Sequence, residues 1–231
     1  MTLTIAPIRG LPEIRPGDDL AELVADAISG AGERLVDDDV VVVTHKVVSK
    51  AEGRIVPALD DAAYRRLVEQ EAVAILRRRG DLVIAQTRHG FVCANAGVDR
   101  SNVEPGRAVL LPIDPDRSAH RLRIRLERRF DASLAVVVTD TFGRPWRRGL
   151  VDVAIGVSGL TPIVDLRGTR DAAGRILDAT EVAVVDEIAA AADLVMGKAD
   201  GIPAAIVRGL RARGDGRAVE LVRPAEEDLF R

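Results

Sequence analysis

Apolar runs alternate along this chain with amphipathic stretches, and several of the runs end abruptly in polar residues. Residues 40–43 and 136–138 are short β-branched runs of the kind that form buried strands. The same patterns predict further strands at 3–8, 82–85, 151–157, 163–166 and 202–207, and helices at about 20–28, 61–79, 117–130 and 181–195. Strands interleaved with helices in this order predict an α/β protein of mixed α+β type.

Residues that carry chemistry follow the apolar runs at their C-terminal ends. Those that follow three of the runs are Lys46 and Lys50, Asp140 and Thr141, and Asp99 and Asn102. Ligands of α/β proteins gather at the carboxyl ends of strands, and lysines beside hard oxygen donors suit a site for a metal ion and a nucleotide phosphate. The alternatives are a polar turn after 136–138 and an Asx-type turn at 99–102.

Lysine is rare in this chain, which otherwise uses arginine for positive charge. Of the 33 basic residues only Lys46, Lys50 and Lys198 are lysines, and Lys198 lies in the glycine-bounded segment 197–201. A lysine is a compact point charge that suits a phosphate oxygen in a tight site. The chain has no GxxxxGK[ST] motif, so any phosphate site is not a Walker A loop.

Three arginines, Arg144, Arg147 and Arg148, follow Asp140 closely. Guanidinium groups bind anions well, so this cluster is a candidate for holding an acidic substrate. The alternative is a solvated turn.

Composition narrows the class of protein further. The net charge of −3 argues against a general nucleic-acid binder, and the single cysteine, Cys93, excludes an intramolecular disulfide and a cysteine-rich zinc site. No apolar run is long enough to span a bilayer, and the N-terminus lacks the pattern of a signal peptide. We therefore expect a cytoplasmic protein without membrane or nucleic-acid partners, with one domain at 1–210 and a charged C-terminal tail at 211–231.

Four segments resemble the coenzyme F420-0:L-glutamate ligase family, also called the F420 gamma-glutamyl ligases. They are VVVTHKVVSKAEGR at 41–54, AGVDRSN at 96–102, TDTFGRPWRRG at 139–149 and TEVAVVDEIAAAADLVMGKADGIP at 180–203. The resemblance runs from about residue 11 to 209. It implies the family's own α/β fold with mixed sheets, neither P-loop nor ATP-grasp, and a homodimer.

The resemblance also implies an activity. The family joins L-glutamate to F420-0, and then further glutamates through γ-linkages, by way of an acyl phosphate, while GTP becomes GDP and phosphate. It uses two divalent ions, Mg²⁺ or Mn²⁺, together with K⁺. Two alternatives remain open: a GTP-dependent amide ligase of the same fold with another acceptor, and a nucleotide- or metal-binding module without catalysis.

Roles for individual residues follow from the resemblance. The implied contacts to GTP are made by Leu11, Pro12, Glu13, Ile14, His45, Lys50 and Asn102. The implied metal ligands are Asp99 and Asp140 for one ion and Thr141 for a second; Lys50 and Asp140 are the catalytic candidates. The phosphate or second-metal loop would include Gly197, Lys198 and Asp200, and the arginine cluster would hold the acidic substrate. His45 departs from the family, which usually carries a small or amide residue there.

Overall fold

The computed structural model describes residues 2–210 and 213–229. The helices in this part of the chain are α1 Leu20–Gly30, α2 His45–Ala51, α3 Asp61–Glu71, α4 Pro115–Phe130 and α5 Val184–Met196. The strands are β1 Thr4–Ile8, β2 Val40–Thr44, β3 Ile55–Pro57, β4 Ala72–Arg79, β5 Leu82–Thr87, β6 Val92–Ala94, β7 Arg107–Val109, β8 Ala135–Arg144, β9 Arg147–Ser158, β10 Val164–Asp165, β11 Glu181–Val182 and β12 Ala204–Arg208. The mixed α/β fold class is confirmed.

A five-stranded sheet with the order β1-β12-β2-β8-β9 forms the centre of the molecule. The neighbours β2 and β8 are parallel, with Val40 opposite Ala135 and Thr44 opposite Thr139, while the other pairs are antiparallel. Because β2 and β8 run in the same direction, the residues that follow both strands lie at one edge of the sheet.

Both faces of this sheet are covered. Val41, Val43, Val136 and Val138 belong to a core that includes buried residues of α1 and α4. Their neighbours on the opposite face, such as Val42, belong to a second core with α5. A strand that is buried on both faces reads as a continuous apolar run, which is the pattern that the sequence shows at 40–43 and 136–138.

Smaller sheets complete the fold. The strands β4, β5 and β6 form one antiparallel sheet, β3 pairs with β7, and β10 pairs with β11. A third buried cluster joins α3 to this region through residues such as Val68, Val83 and Leu110.

Several predicted elements are confirmed. Helix α1 begins after Asp19, whose side chain accepts a hydrogen bond from the Glu22 N–H, as expected of an N-cap. Helix α4 begins in the same way after Asp114, with Pro115 in its first turn, and ends at Phe130.

The predicted helix at 61–79 is wrong in its second half. Helix α3 ends at Glu71, and Ala72 already has an extended backbone, with φ of −84° and ψ of 130°. The segment from Ala72 onward pairs with β5 through two register shifts, which break the simple alternation of apolar and polar residues. Short apolar runs of this kind fit helix and strand templates equally well, so pairing with β5 decides the outcome.

The structure corrects two further boundaries. The helix predicted from residue 181 begins at Val184, because 181–182 pair with Val164 and Asp165 instead. The strand predicted at 136–138 does not end there: β8 continues to Arg144 and turns into β9 as a long hairpin. The polar residues after 138 therefore lie on a strand and not in a loop.

Residues 213–222 lie against the rest of the molecule. Ala218 is fully buried, and its N–H donates to Asp116 Oδ1 at 2.9 Å. Residues 211–212 and 230–231 of the predicted tail lie outside the described residues, and the division of the chain at residue 210 stays a prediction. In the described part of the chain no helix has the length and apolar character needed to cross a bilayer.

Gly156 in β9 provides a test of how closely the sheet and α4 approach. A Cβ atom at this position would lie 2.4 Å from the carbonyl oxygen of Pro115, which is backbone and cannot rotate away. We expect Gly156→Ala to lower the free energy of unfolding by about 1–3 kcal/mol in urea denaturation. Gly143→Ala is the matched control on the same hairpin, since no atom lies within 4 Å of its added Cβ. Equal urea midpoints for the two variants would contradict the close approach.

Cys93 lies in β6 and is buried. Burial, with a contribution from the negative charge of Asp140, raises the pKa of its thiol to about 12. Since the thiolate is the reactive form, only about one thiol in ten thousand is ionised at pH 8, against roughly a quarter for an unperturbed cysteine. We expect Ellman's reagent to react slowly with the native protein at pH 8 and at once in urea. Fast reaction of the folded protein would contradict the burial of this side chain.

Candidate active site at the edge of the central sheet

A cavity of about 740 Å³ opens where β2 and β8 end. Its walls come from the segment before α1, from the start of α2, from the β8–β9 hairpin and from the loop after α5. The residues that line it are Leu11, Pro12, Glu13, Ile14, Thr44, His45, Lys46, Val47, Lys50, Asn102, Val103, Glu104, Thr139, Asp140, Thr141, Asp152, Asp193, Gly197, Lys198, Ala199, Gly201, Ile202 and Pro203. All three lysines of the chain are among them, so the rare residue type marks this cavity.

Helix α2 follows β2 without a loop, and this places two lysines at the cavity. Lys50 is almost fully buried, and its Nζ lies 2.5 Å from Glu13 Oε1. Lys46 donates to Asp99 Oδ2 at 2.7 Å and to Ser101 Oγ at 2.9 Å. Both ammonium groups are therefore held in place by carboxylates that belong to distant parts of the chain.

Strand β8 brings Asp140 to the cavity next to the end of β2. His45 Nε2 lies 3.3 Å from Asp140 Oδ1, although the angle between the groups does not make an aligned hydrogen bond. The same Asp140 oxygen accepts the N–H of Thr141 at 2.7 Å. The parallel pairing of β2 with β8 thus joins His45 to Asp140 across 95 positions of sequence.

Asp152 in β9 is a residue of this site that sequence reasoning missed. It is 2% exposed and accepts hydrogen bonds from the hydroxyls of Thr139 at 2.9 Å and Thr141 at 2.5 Å. Lys198 Nζ lies 3.6 Å from the oxygen that accepts from Thr141. An acid inside the apolar run 150–157 is the one sequence feature that could have identified it, because a buried carboxylate needs partners.

The loop after α5 closes another side of the cavity. Gly197 ends the helix with φ of +62°, and a Cβ there would lie 2.6 Å from Asp200 Oδ2, so glycine allows the loop to fold tightly. Lys198 faces Asp152 as described above. Asp200, predicted with them, is not among the residues that line the cavity.

The other predicted site residues fall into two groups, those that line the cavity and those that lie outside it. The segment 11–14 and Asn102 line the cavity, and Asn102 adopts φ of +57°, which asparagine tolerates better than most residues. Asp99 does not line it but is joined to it through Lys46. The arginine cluster lies outside the cavity on the exposed end of the β8–β9 hairpin, where Arg144 donates to the carbonyl of Arg148.

The pKa values of two carboxylates near the cavity are shifted in opposite directions. Burial alone raises the pKa of Asp99, but the bonds from Lys46 and Ser101 outweigh it and hold the pKa below its usual value. Burial and the neighbouring charge of Asp152 raise the pKa of Asp193. Asp99 therefore keeps its charge to a lower pH than an ordinary aspartate, whereas Asp193 takes up a proton more readily than an ordinary aspartate.

The donor set fits a hard cation. Asp140, Thr141, Asp152 and Asp193 offer carboxylate and hydroxyl oxygens around one cavity. Among the described residues no three or more His, Cys, Asp or Glu side chains are grouped closely enough to enclose a metal by themselves. A Mg²⁺-like ion does not require such a cage, since it is commonly held by one or two carboxylates together with waters and substrate phosphates.

Comparisons with known proteins show to which family the chain belongs. The family model described as F420-0:Gamma-glutamyl ligase matches residues 9–209. Proteins called coenzyme F420:L-glutamate ligase from Methanothermobacter thermautotrophicus, Methanopyrus kandleri and Archaeoglobus fulgidus are 46%, 45% and 42% identical to this chain, cover all of it and are themselves covered over 100%, 98% and 97% of their lengths. The chain therefore belongs to the F420-0:gamma-glutamyl ligase family.

Proposed function

We propose that this chain is a GTP-dependent ligase that adds L-glutamate to coenzyme F420-0, and then further glutamates through γ-linkages. The observation that carries the proposal is the position of Lys50 and Asp140, which face one cavity beside the segment 11–14 and Asn102. The relatives are named for the ligation of L-glutamate, and the cavity holds the lysines and oxygen donors that phosphoryl transfer requires.

The reaction joins two groups that do not combine unaided. A carboxylate oxygen of the F420-0 tail attacks the γ-phosphorus of GTP, GDP leaves, and an acyl phosphate results. The amine of L-glutamate then attacks the acyl carbon, phosphate leaves with the electrons of its bond to that carbon, and the nitrogen loses a proton to give the amide. The cavity must hold two anionic reactants at the same time, so each of its lysines is a candidate for binding an anionic group of one reactant.

Residues of the chain supply binding and orientation. Lys50 is the candidate for holding a GTP phosphate, because its ammonium group is fixed at the cavity wall and Glu13 is an exposed partner that a phosphate can replace. Asn102, His45 and the segment 11–14 would contact the nucleotide. Lys198 also lines the cavity, and its flexible side chain is a candidate for a second phosphate contact.

Asp140, Asp99 and Thr141 would hold two divalent ions, Mg²⁺ or Mn²⁺, and K⁺ would assist. Asp99 lies outside the cavity lining and would have to exchange its pairing with Lys46 for the ion. Bound divalent ions supply neutralisation of phosphate charge and alignment of the attacking and leaving oxygens. The exposed arginines Arg144, Arg147 and Arg148 are candidates for binding the acidic F420-0 tail. We also propose that the protein forms a homodimer. A cytoplasmic location remains part of the proposal.

The decisive experiment is incubation of the protein with F420-0, L-glutamate, GTP and MnCl₂, read by mass spectrometry. We expect products that carry one or more added glutamyl residues, with GDP formed only when both acceptor and glutamate are present. GTP hydrolysis with a different acceptor acid would indicate an amide ligase of other specificity. GTP or metal binding without any turnover would indicate a binding module.

Asp140→Asn tests the carboxylate at the end of β8. The amide keeps the shape of the side chain but removes its charge, so we expect kcat to fall by at least about a hundredfold while the urea midpoint changes little. Asp131→Asn is the matched control, since this exposed residue ends α4 in a left-handed conformation that asparagine accepts. Turnover of Asp140→Asn at the parent rate under limiting metal would remove Asp140 from the site.

Lys50→Arg tests whether the site needs a point charge. The guanidinium fork is larger and planar, and the buried position leaves little room for it. We expect kcat/KM for GTP to fall at least about tenfold, roughly 1.4 kcal/mol of transition-state binding. Lys198→Arg is the comparison, because that side chain is more than half exposed and should lose less. Unchanged kinetics for Lys50→Arg would contradict the assignment.

A further inference from the structure

The role of Asp152 is not explained by the assignments above. Its carboxylate is 2% exposed and lies within the β8–β9 hairpin, where an apolar residue would be less costly to bury. Both of its oxygens accept hydrogen bonds from threonine hydroxyls, Thr139 to Oδ2 at 2.9 Å and Thr141 to Oδ1 at 2.5 Å. The group is buried at the wall of the cavity, and each of its oxygens accepts a hydrogen bond from a side chain of that wall.

The register of the hairpin creates this arrangement. A register shift between Val138 and Thr139 moves the pairing by one residue, so that Thr139 lies opposite Ala154 and Thr141 lies opposite Asp152. Opposed residues of an antiparallel pair point to the same face, which brings both hydroxyls to one carboxylate. The bulge also leaves the N–H of Ala154 without a ladder partner, and Asp186 Oδ1 accepts it at 2.8 Å.

The hydrogen-bond directions have a chemical consequence. A hydroxyl has one hydrogen and two lone pairs, whereas a carboxylate only accepts. Both threonines must therefore donate their hydrogens to Asp152. Thr141, which lines the cavity, then presents only lone pairs to it. A freely rotating hydroxyl could donate to a phosphate oxygen, but one that is fixed in this way can bind only a cation or another donor.

We propose that Asp152 is a positioning residue that fixes the hydroxyl of Thr141 as an oxygen ligand for a divalent cation in the cavity. This inference deepens the proposed function and depends on it only for the identity of the reaction. Asp152 itself need not touch the ion, because its effect passes through the threonine. Lys198 Nζ at 3.6 Å balances the charge of the carboxylate from the cavity side.

A double-mutant cycle with Mn²⁺ alone tests the proposal. Mn²⁺ binding is measured by titration calorimetry, without nucleotide, for the parent, Asp152→Asn, Thr141→Val and the double variant. We expect each single variant to bind Mn²⁺ about tenfold more weakly and the double variant to bind no more weakly than Thr141→Val, because the two residues act as one unit. Losses that add, or an Asp152→Asn variant with parent affinity, would overturn the proposal.

Two control measurements distinguish a positioning role of Asp152 from the loss of its charge and from a failure of the variant to fold. Glu104→Gln removes one negative charge from a residue that lines the cavity without touching either hydroxyl, and should weaken Mn²⁺ binding less than Asp152→Asn. If Asp152→Asn does not fold, Thr141→Ser and Thr141→Val carry the test. Serine keeps the hydroxyl and should retain affinity within about threefold, whereas valine should not; equal affinities would overturn the proposal.

The outcome is independent of the proposed reaction. A parent protein that binds Mn²⁺ and shows the expected cycle, but does not ligate glutamate, would overturn the proposed function and leave the role of Asp152 standing. If the parent is active as a ligase with GTP but the losses of Mn²⁺ affinity add, the proposed function stands and the role of Asp152 is overturned. A parent that binds no Mn²⁺ in the absence of nucleotide would overturn the role of Asp152.

Discussion

The parallel pairing of β2 with β8 is the constraint on which the rest of the site depends. A parallel pair cannot be closed by a short hairpin, so the chain between the two strands is long. It contributes α2 to α4, the β3–β7 pair and the sheet of β4, β5 and β6. The pairing also fixes both carboxyl ends at one edge. His45 and Asp140 meet for this reason alone, and Lys50 reaches the same cavity because α2 starts directly where β2 ends.

Charged side chains are concentrated at this edge of the central sheet, and each of the three lysines there lies against a carboxylate. Lys50 lies against Glu13, Lys46 against Asp99 and Lys198 against Asp152. A buried charge without a partner is strongly unfavourable, whereas a partly exposed pair contributes little net stability. The arrangement therefore keeps the lysines in position in pairs that contribute little to stability, as a site for the anionic reactants of the proposed function would require.

The sequence predicts the strands that are buried on both faces, because their β-branched runs at 40–43 and 136–138 can be read without knowledge of their partners. It also identifies Lys46, Lys50 and Asp140 as candidates for one site, because ligands of α/β proteins gather at the carboxyl ends of strands. Asp152 could not be found in this way. Its position beside Thr141 depends on a bulge in β8–β9 pairing, and no local pattern encodes a shift of register between strands.

The segment 72–79 shows the same limit in the fold. Its apolar residues continue the pattern of α3 well enough to predict one long helix, yet the chain leaves the helix at Ala72 because β5 offers a partner for its backbone. Local periodicity ranks the possible elements, and long-range pairing chooses between them. The resemblance to a family supplies what neither provides, since it assigns roles to residues such as Asn102 whose types alone suggest only a turn.

Glu13 illustrates how pairing and function are connected. Its side chain is 73% exposed, whereas that of Lys50 is 9% exposed. Burial thus restricts the lysine in addition to its ion pair, whereas the exposed glutamate is held mainly by the lysine. Solvent screens the exposed carboxylate, so this pair contributes little to the stability of the fold. The phosphate of the proposed reaction would replace this weakly held partner and meet an ammonium group that burial has already restricted. Under the proposed function, the ion pair with Glu13 would keep the Lys50 ammonium group oriented until a phosphate takes the place of that carboxylate.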